Sequence, residues 1–194
     1  MRTFSKYALL GNVRAIFMVA FFTIVWASCI AWGFGWNFFT IAFITFFFVY
    51  SVWLCIEATK ENRIIRALPD SPLTEYDKRI RKRFVLNFVI EIVLIMVCNT
   101  ILVNHVIGNS NYIVPMMGVI VGAHFIYLGF LFRMRIHIIL GIIMIVIAVV
   151  PIILIICGKW INQSIGACAL ATAICVAVMN TYILRFVKAE LKKL

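Results

Sequence analysis

The sequence predicts an all-α, polytopic membrane protein: one transmembrane domain of six helices, with the N- and C-termini both cytoplasmic. Three observations carry this expectation. First, 65% of the 194 residues are hydrophobic and the mean hydropathy is +1.10. Soluble domains are about 45–50% apolar, and a soluble fold of this length must show much of its residue set to water, so the surplus points to lipid as the solvent. Second, the apolar residues fall in six runs of roughly 17–22 residues, the length that crosses ~30 Å of hydrocarbon. Third, when the runs alternate across a bilayer, all 18 Lys and Arg except Lys159 fall on one side. Such an imbalance marks that side as cytoplasmic.

The chain opens with residues 2–14, where Arg2, Lys6 and Arg14 alternate with Phe4, Tyr7, Leu9, Leu10 and Val13. Two readings stand: a short helix lying in the inner interface, or a basic tail that only sets orientation. Span 1 covers residues 15–35. Trp32 and Trp36 mark the far interface, where an indole keeps its N–H wet and its ring buried. Gly33, Gly35 and Asn37 supply a tight turn. Span 2, residues 38–57, is rich in Phe and suits a lipid-facing wall, with Trp53 toward its inner end.

Residues 59–83 form the only long polar segment, a cytoplasmic loop. Ser71-Pro72 has the form of an N-cap followed by proline at the first helical position. Glu75–Arg79 and Asp77–Arg81 are i,i+4 pairs in the favourable order. Span 3, residues 84–103, is therefore expected to begin early, near Pro72, as a helical stalk. The cations Lys78, Arg79, Arg81, Lys82 and Arg83 fit anionic lipid headgroups at the cytoplasmic face, or simply fix topology. Turn formers Gly108, Asn109, Ser110 and Asn111 precede span 4, residues 113–132, with Pro115 in its first turn where a missing N–H costs little. The connection Arg133-Met134-Arg135 is so short that spans 4 and 5 must be antiparallel neighbours. Span 5, residues 136–157, contains Pro151, which predicts a kink. Trp160 anchors the next outer loop. Span 6, residues 164–184, ends in a basic tail.

Several function classes drop out. The net charge of +11 is explained by sorting across a bilayer, so no nucleic-acid partner is expected. The six cysteines form no CxxC and no zinc-like spacing with His, so no metal is expected. A disulfide near the outer face, between Cys157 and another outer-half Cys, is not expected. Neither a cleavable signal peptide nor an internal repeat is evident. Nucleophile motifs, HExxH and nucleotide-binding fingerprints are missing. The polar loop is too short for a catalytic domain, so the chain leans away from an enzyme, and no cofactor is expected.

The chemistry is concentrated in spans 3 and 4. Glu91 lies about 10 Å below the inner boundary of span 3, where a carboxylate costs ~2.5–3.5 kcal/mol on insertion scales. Asn87 precedes it by one turn on the same face. His124 lies about 12 Å from the same boundary on a helix running the opposite way. The two titratable groups thus share a level, and a contact between them would hold a proton or serve only as polar glue fixing helix register. Asn180, Tyr182 and Tyr127 are secondary candidates for the same polar layer. His105 and His137, at span ends, read as solvated, and Glu57 as a partner of the basic loop. Gly118-x-x-x-Gly122 and the series Ala169, Ala173 and Ala177 allow close helix contact. They suggest that spans 4 and 6 are central and span 2 peripheral.

The run Arg83-Phe84-x-x-Asn87-x-x-x-Glu91, with Pro115, Gly122-x-His124-Phe125 and Leu131-Phe132, resembles a group of small bacterial multi-span membrane proteins of unknown function. The resemblance covers residues 78–141. It implies a bacterial plasma-membrane protein and singles out Asn87, Glu91 and His124, but supplies no activity. The leading expectation is a small transporter or channel-like protein for a proton-coupled or small polar ligand. An accessory or sensory protein packing against a membrane partner or a second copy is the alternative. A membrane enzyme acting on a lipid or quinone stands third.

Overall fold

The computed structural model describes residues 6–69, 75–100, 107–132 and 134–193, with only the backbone of Tyr76. These form helices α1 (Lys6–Phe34), α2 (Phe38–Ala67), α3 (Glu75–Val97), α4 (Ile113–Phe132), α5 (Arg135–Ile156) and α6 (Ile161–Leu191), with a 3-10 turn Ser110–Tyr112 leading into α4. Among the described residues there is no strand. All six helices are long and apolar enough to cross a membrane. Their outer surface is apolar to a degree no soluble monomer tolerates: Phe21, Phe38, Phe39 and Phe46 all stand more than 60% exposed.

The outer turns follow local chemistry. Gly35 takes φ +71° and Asn37 caps α2, its side-chain oxygen accepting from the Thr40 N–H at 3.0 Å, as an N-cap Asn does. Gly33, expected in that turn, instead lies inside α1. A Cβ there would fall on the backbone of Gly166, so α1 and α6 touch main chain to main chain. Small residues permit this, and close approach is what holds helices together where the surroundings are as apolar as the side chains. Leu9, Val13, Ile16 and Ile30 of α1 and Ala169, Ala173, Val176 and Met179 of α6 are fully buried along the shared seam. Helices α6 and α4 are the two most buried of the six, as expected, and α1 shares the most extensive seam with α6.

The Gly118/Gly122 stripe packs on α5. A Cβ on Gly122 would meet the Gly141 carbonyl oxygen at 2.8 Å, and one on Gly118 the Ala148 Cβ at 2.8 Å. Residue numbers fall on one helix as they rise on the other, so α4 and α5 are antiparallel neighbours, as their short connection requires. Helix α5 runs through Pro151 without a break. The Phe-rich α2 is peripheral, as expected, and α3 is buried least of all.

Residues 6–14 do not lie in an interface. They are the first turns of α1, with Leu9 and Val13 fully buried. Arg2 and Phe4 lie outside the described residues, as do Ser71-Pro72, His105 and Arg133. Much of the expected loop is helix, because α2 continues to Ala67. Its end is held by Lys6, whose Nζ donates to the carbonyls of Arg66 and Leu68 at 3.1 and 2.6 Å. Glu57 meets Lys60 at 2.6 Å and also Lys188 of α6 at 2.5 Å, so its partners are only partly in the basic segment. At the start of α3 Glu75 pairs with Lys78 at 2.8 Å rather than with Arg79, one residue short of the i,i+4 spacing. All six cysteines are free thiols, Cys157 among them.

Candidate functional site

Phe84, Asn87 and Glu91 recur at i, i+3 and i+7, one face of a helix. That face is the docking surface of α3. Phe84 meets Phe132 with ring centroids 6.1 Å apart. The Asn87 amide nitrogen lies 2.9 Å from His124 Nδ1. Glu91 Oε2 lies 3.0 Å from the same Nδ1, and both side chains are at most 5% exposed. Glu91 is the one side chain of α3 buried to this degree among the described residues. The helix is thus anchored by a buried carboxylate together with the partly buried Phe84 and Ile95.

Two groups converge on one nitrogen, and Nδ1 carries either one hydrogen or one lone pair. Two proton arrangements satisfy it. In one, Nδ1 is bare and accepts from a neutral Glu91 carboxyl or from the Asn87 amide. In the other, Nδ1–H donates to the Glu91 carboxylate, and Asn87 turns its oxygen inward, a rotation that exchanges atoms of similar size. A Glu–His pair is net neutral whether the proton sits on oxygen or on nitrogen. That removes the cost of an isolated buried charge. The pair can hold one proton, take up a second or release the first.

Helix α3 packs chiefly on α4 and leaves a gap toward α1. A cavity of about 30 Å³ occupies this gap, room for about two water molecules. Glu91 and His124 line its deep end. The wall continues along α4 through Leu128 to Phe132, and α1 contributes Asn12. His137 of α5 also lines it and is 3% exposed, which overturns its expected solvation. Although only two residues into α5, its ring turns inward under the end of α4, against Phe125. Its Nδ1 has no partner among the described residues.

Sequence reasoning missed Asn12, which is 9% exposed, its amide donating to the Ala8 carbonyl at 3.0 Å. An amide two residues before Arg14 read as part of a basic surface segment. Of the secondary candidates, Asn180 is fully buried but turns to α1, its amide 3.3 Å from the Ile16 carbonyl. Its side-chain oxygen is unpartnered among the described residues. Tyr127 and Tyr182 are exposed and away from the cavity. Lys78, Arg79, Arg81, Lys82 and Arg83 are all exposed and encircle α3 just before its apolar length, as a collar rather than a pocket. Among the described residues, no group of three or more His, Cys, Asp or Glu is placed to hold a metal ion. Comparison with family models, curated proteins and solved structures finds no match to this chain.

Proposed function

We propose that this is a small proton-coupled transporter or channel-like protein of a bacterial plasma membrane, inserted with both termini cytoplasmic. The six apolar helices support insertion. Orientation is supported by Lys159 standing alone among Lys and Arg at the end where Trp32, Trp36 and Trp160 are exposed. The collar from Lys78 to Arg83 then sits at the level of anionic headgroups. Impermeant maleimide is expected to label Cys157, exposed at that end, from outside intact cells. Labelling only after the membrane is opened would reverse the orientation.

One observation carries the functional reading: Glu91 Oε2 and His124 Nδ1 lie 3.0 Å apart on the wall of a cavity. The cavity admits water and not a metabolite, so the group bound there is a proton. Proteoliposomes carrying a pH dye inside test this. Glu91→Gln and His124→Ala are each expected to lower proton flux at least tenfold, equivalent to about 1.4 kcal/mol of barrier. Flux unchanged in both variants overturns the proposal.

One feature favours an accessory role instead. Helix α3 presents apolar side chains such as Val85, Val89 and Val93, and has α4 as its principal neighbour. A membrane partner or a second copy would find that flank open. The Gly118/Gly122 and Ala169/Ala173 faces, by contrast, are filled within the bundle. A stoichiometric partner co-purifying with the wild type, but not with a Val89→Glu variant, would support this reading.

A further inference from the structure

The proposed proton site uses Glu91 and His124, and leaves a third titratable side chain on the same cavity wall without a task. His137 is 3% exposed, and its Nδ1 has no hydrogen-bond partner among the described residues. A buried ring nitrogen without a partner is costly, and ordered water is the usual remedy where the site is polar and roomy enough. This cavity meets both conditions, with about 30 Å³ of space and polar groups at both ends.

Register fixes the spacing. Gly122 stands against Gly141 and Gly129 against Ile138, so His137 lies ~6 Å nearer the inner end than His124 at 1.5 Å per residue. One water spans that gap with two ordinary hydrogen bonds. Among the described residues no other titratable side chain lines the cavity. Helix α1 contributes the neutral amide of Asn12, and α6 contributes Val176 and Ile183.

We infer that His137 is the inner relay of this site, joined to the Glu91–His124 pair by cavity water. This rests on the proton-handling reading above and extends it from a pair to a path. A proton on the His137 ring passes to the bridging water, which gives one of its own to His124. The proton already on His124 Nδ1 moves to the Glu91 carboxylate as the other ring nitrogen receives the one from water, so the pair gains the single positive charge that His137 loses. Only bonds to hydrogen break and form, and nothing is oxidised or reduced. His137 is a proton carrier and Asn87 a positioning residue, holding the His124 ring against Glu91.

The test uses the full chain in liposomes, with ¹⁵N-labelled histidine for solid-state NMR and a pH dye for flux. The expected result is a water cross-peak at a His137 ring nitrogen, with His137→Gln slowing flux at least tenfold while the His124 signals of the Glu91 contact persist. Gln keeps hydrogen-bonding capacity but cannot carry the proton, so a merely structural role would leave flux intact. A dry His137 ring overturns the inference. A wild type that conducts no protons overturns the proposed function and the relay with it, whereas full flux in His137→Gln with Glu91→Gln silent overturns the relay alone.

Discussion

The α1–α6 seam and the α3–α4 seam are built on opposite principles. Between α1 and α6, glycine and alanine let main chains touch, and fully buried Leu9, Val13, Ile16, Ala169 and Val176 fill the rest. Between α3 and α4, the contact is one ring pair and one carboxylate–amide–imidazole cluster, with most of α3 exposed. The first seam depends on shape, and any added atom harms it. The second depends on hydrogen-bond chemistry, and any change of protonation reaches it directly. The groups proposed to handle protons are therefore also the groups that fasten a helix, so gain or loss of a proton at Nδ1 bears on how firmly α3 is held.

That contrast can be broken at several points. The largest expected effect is at the shape-dependent seam. Gly33→Val places side-chain atoms on the Gly166 backbone and is expected to cost about 3 kcal/mol or more, read as lost folded protein in a detergent unfolding series. Gly11→Ala, where a Cβ meets nothing within 4 Å, is its control and should unfold with the wild type. Next comes Glu91→Ala, with an expected loss of ~1–2 kcal/mol, the range of hydrogen bonds between membrane helices. Its signature is local: faster hydrogen exchange along α3, with α1 and α6 unchanged. Equal loosening of all three helices would erase the distinction between the seams. The smallest effect is expected at the inner rim, where Glu57→Gln removes the contacts to Lys60 and Lys188. A slight loss of thermal stability that vanishes at high salt is expected, since rim ion pairs are screened.

Much of this was legible in the sequence, and the failures have physical causes. Six apolar runs located six helices, because backbone groups in an apolar medium must be satisfied within the helix. The level of Glu91 and His124 followed from a fixed rise per residue. That Asn87 and Glu91 reach one nitrogen did not, since it depends on ring rotation and helix spin. Helix ends were misjudged at α1 and α2 because hydropathy registers where lipid ends, and both helices continue beyond that limit. His137 was misread for the same reason, since two residues into a helix counts as a boundary. The Gly118/Gly122 stripe names no partner helix by itself. Gly141 on the next helix was the available signal, and the short connection should have directed the stripe to α5.

The unequal lengths of the helices have one more consequence. Helices α1, α2 and α6 have 29, 30 and 31 residues, whereas α4 and α5 have 20 and 22. At 1.5 Å per residue the long trio exceeds that short pair by roughly 10–15 Å, nearly all of it at the end that holds the chain's termini. The inner surface is therefore a terrace, and His137 lies near the foot of its step. The protruding turns of α1, α2 and α6 carry Lys6, Lys60, Arg63, Arg66, Arg185 and Lys188 against Glu57, Glu61 and Glu190, a net positive rim. Water at its base holds fewer hydronium ions than the bulk, so in the proposed orientation the site meets a locally alkaline microenvironment whose strength is set by the ionic strength of the cytoplasm.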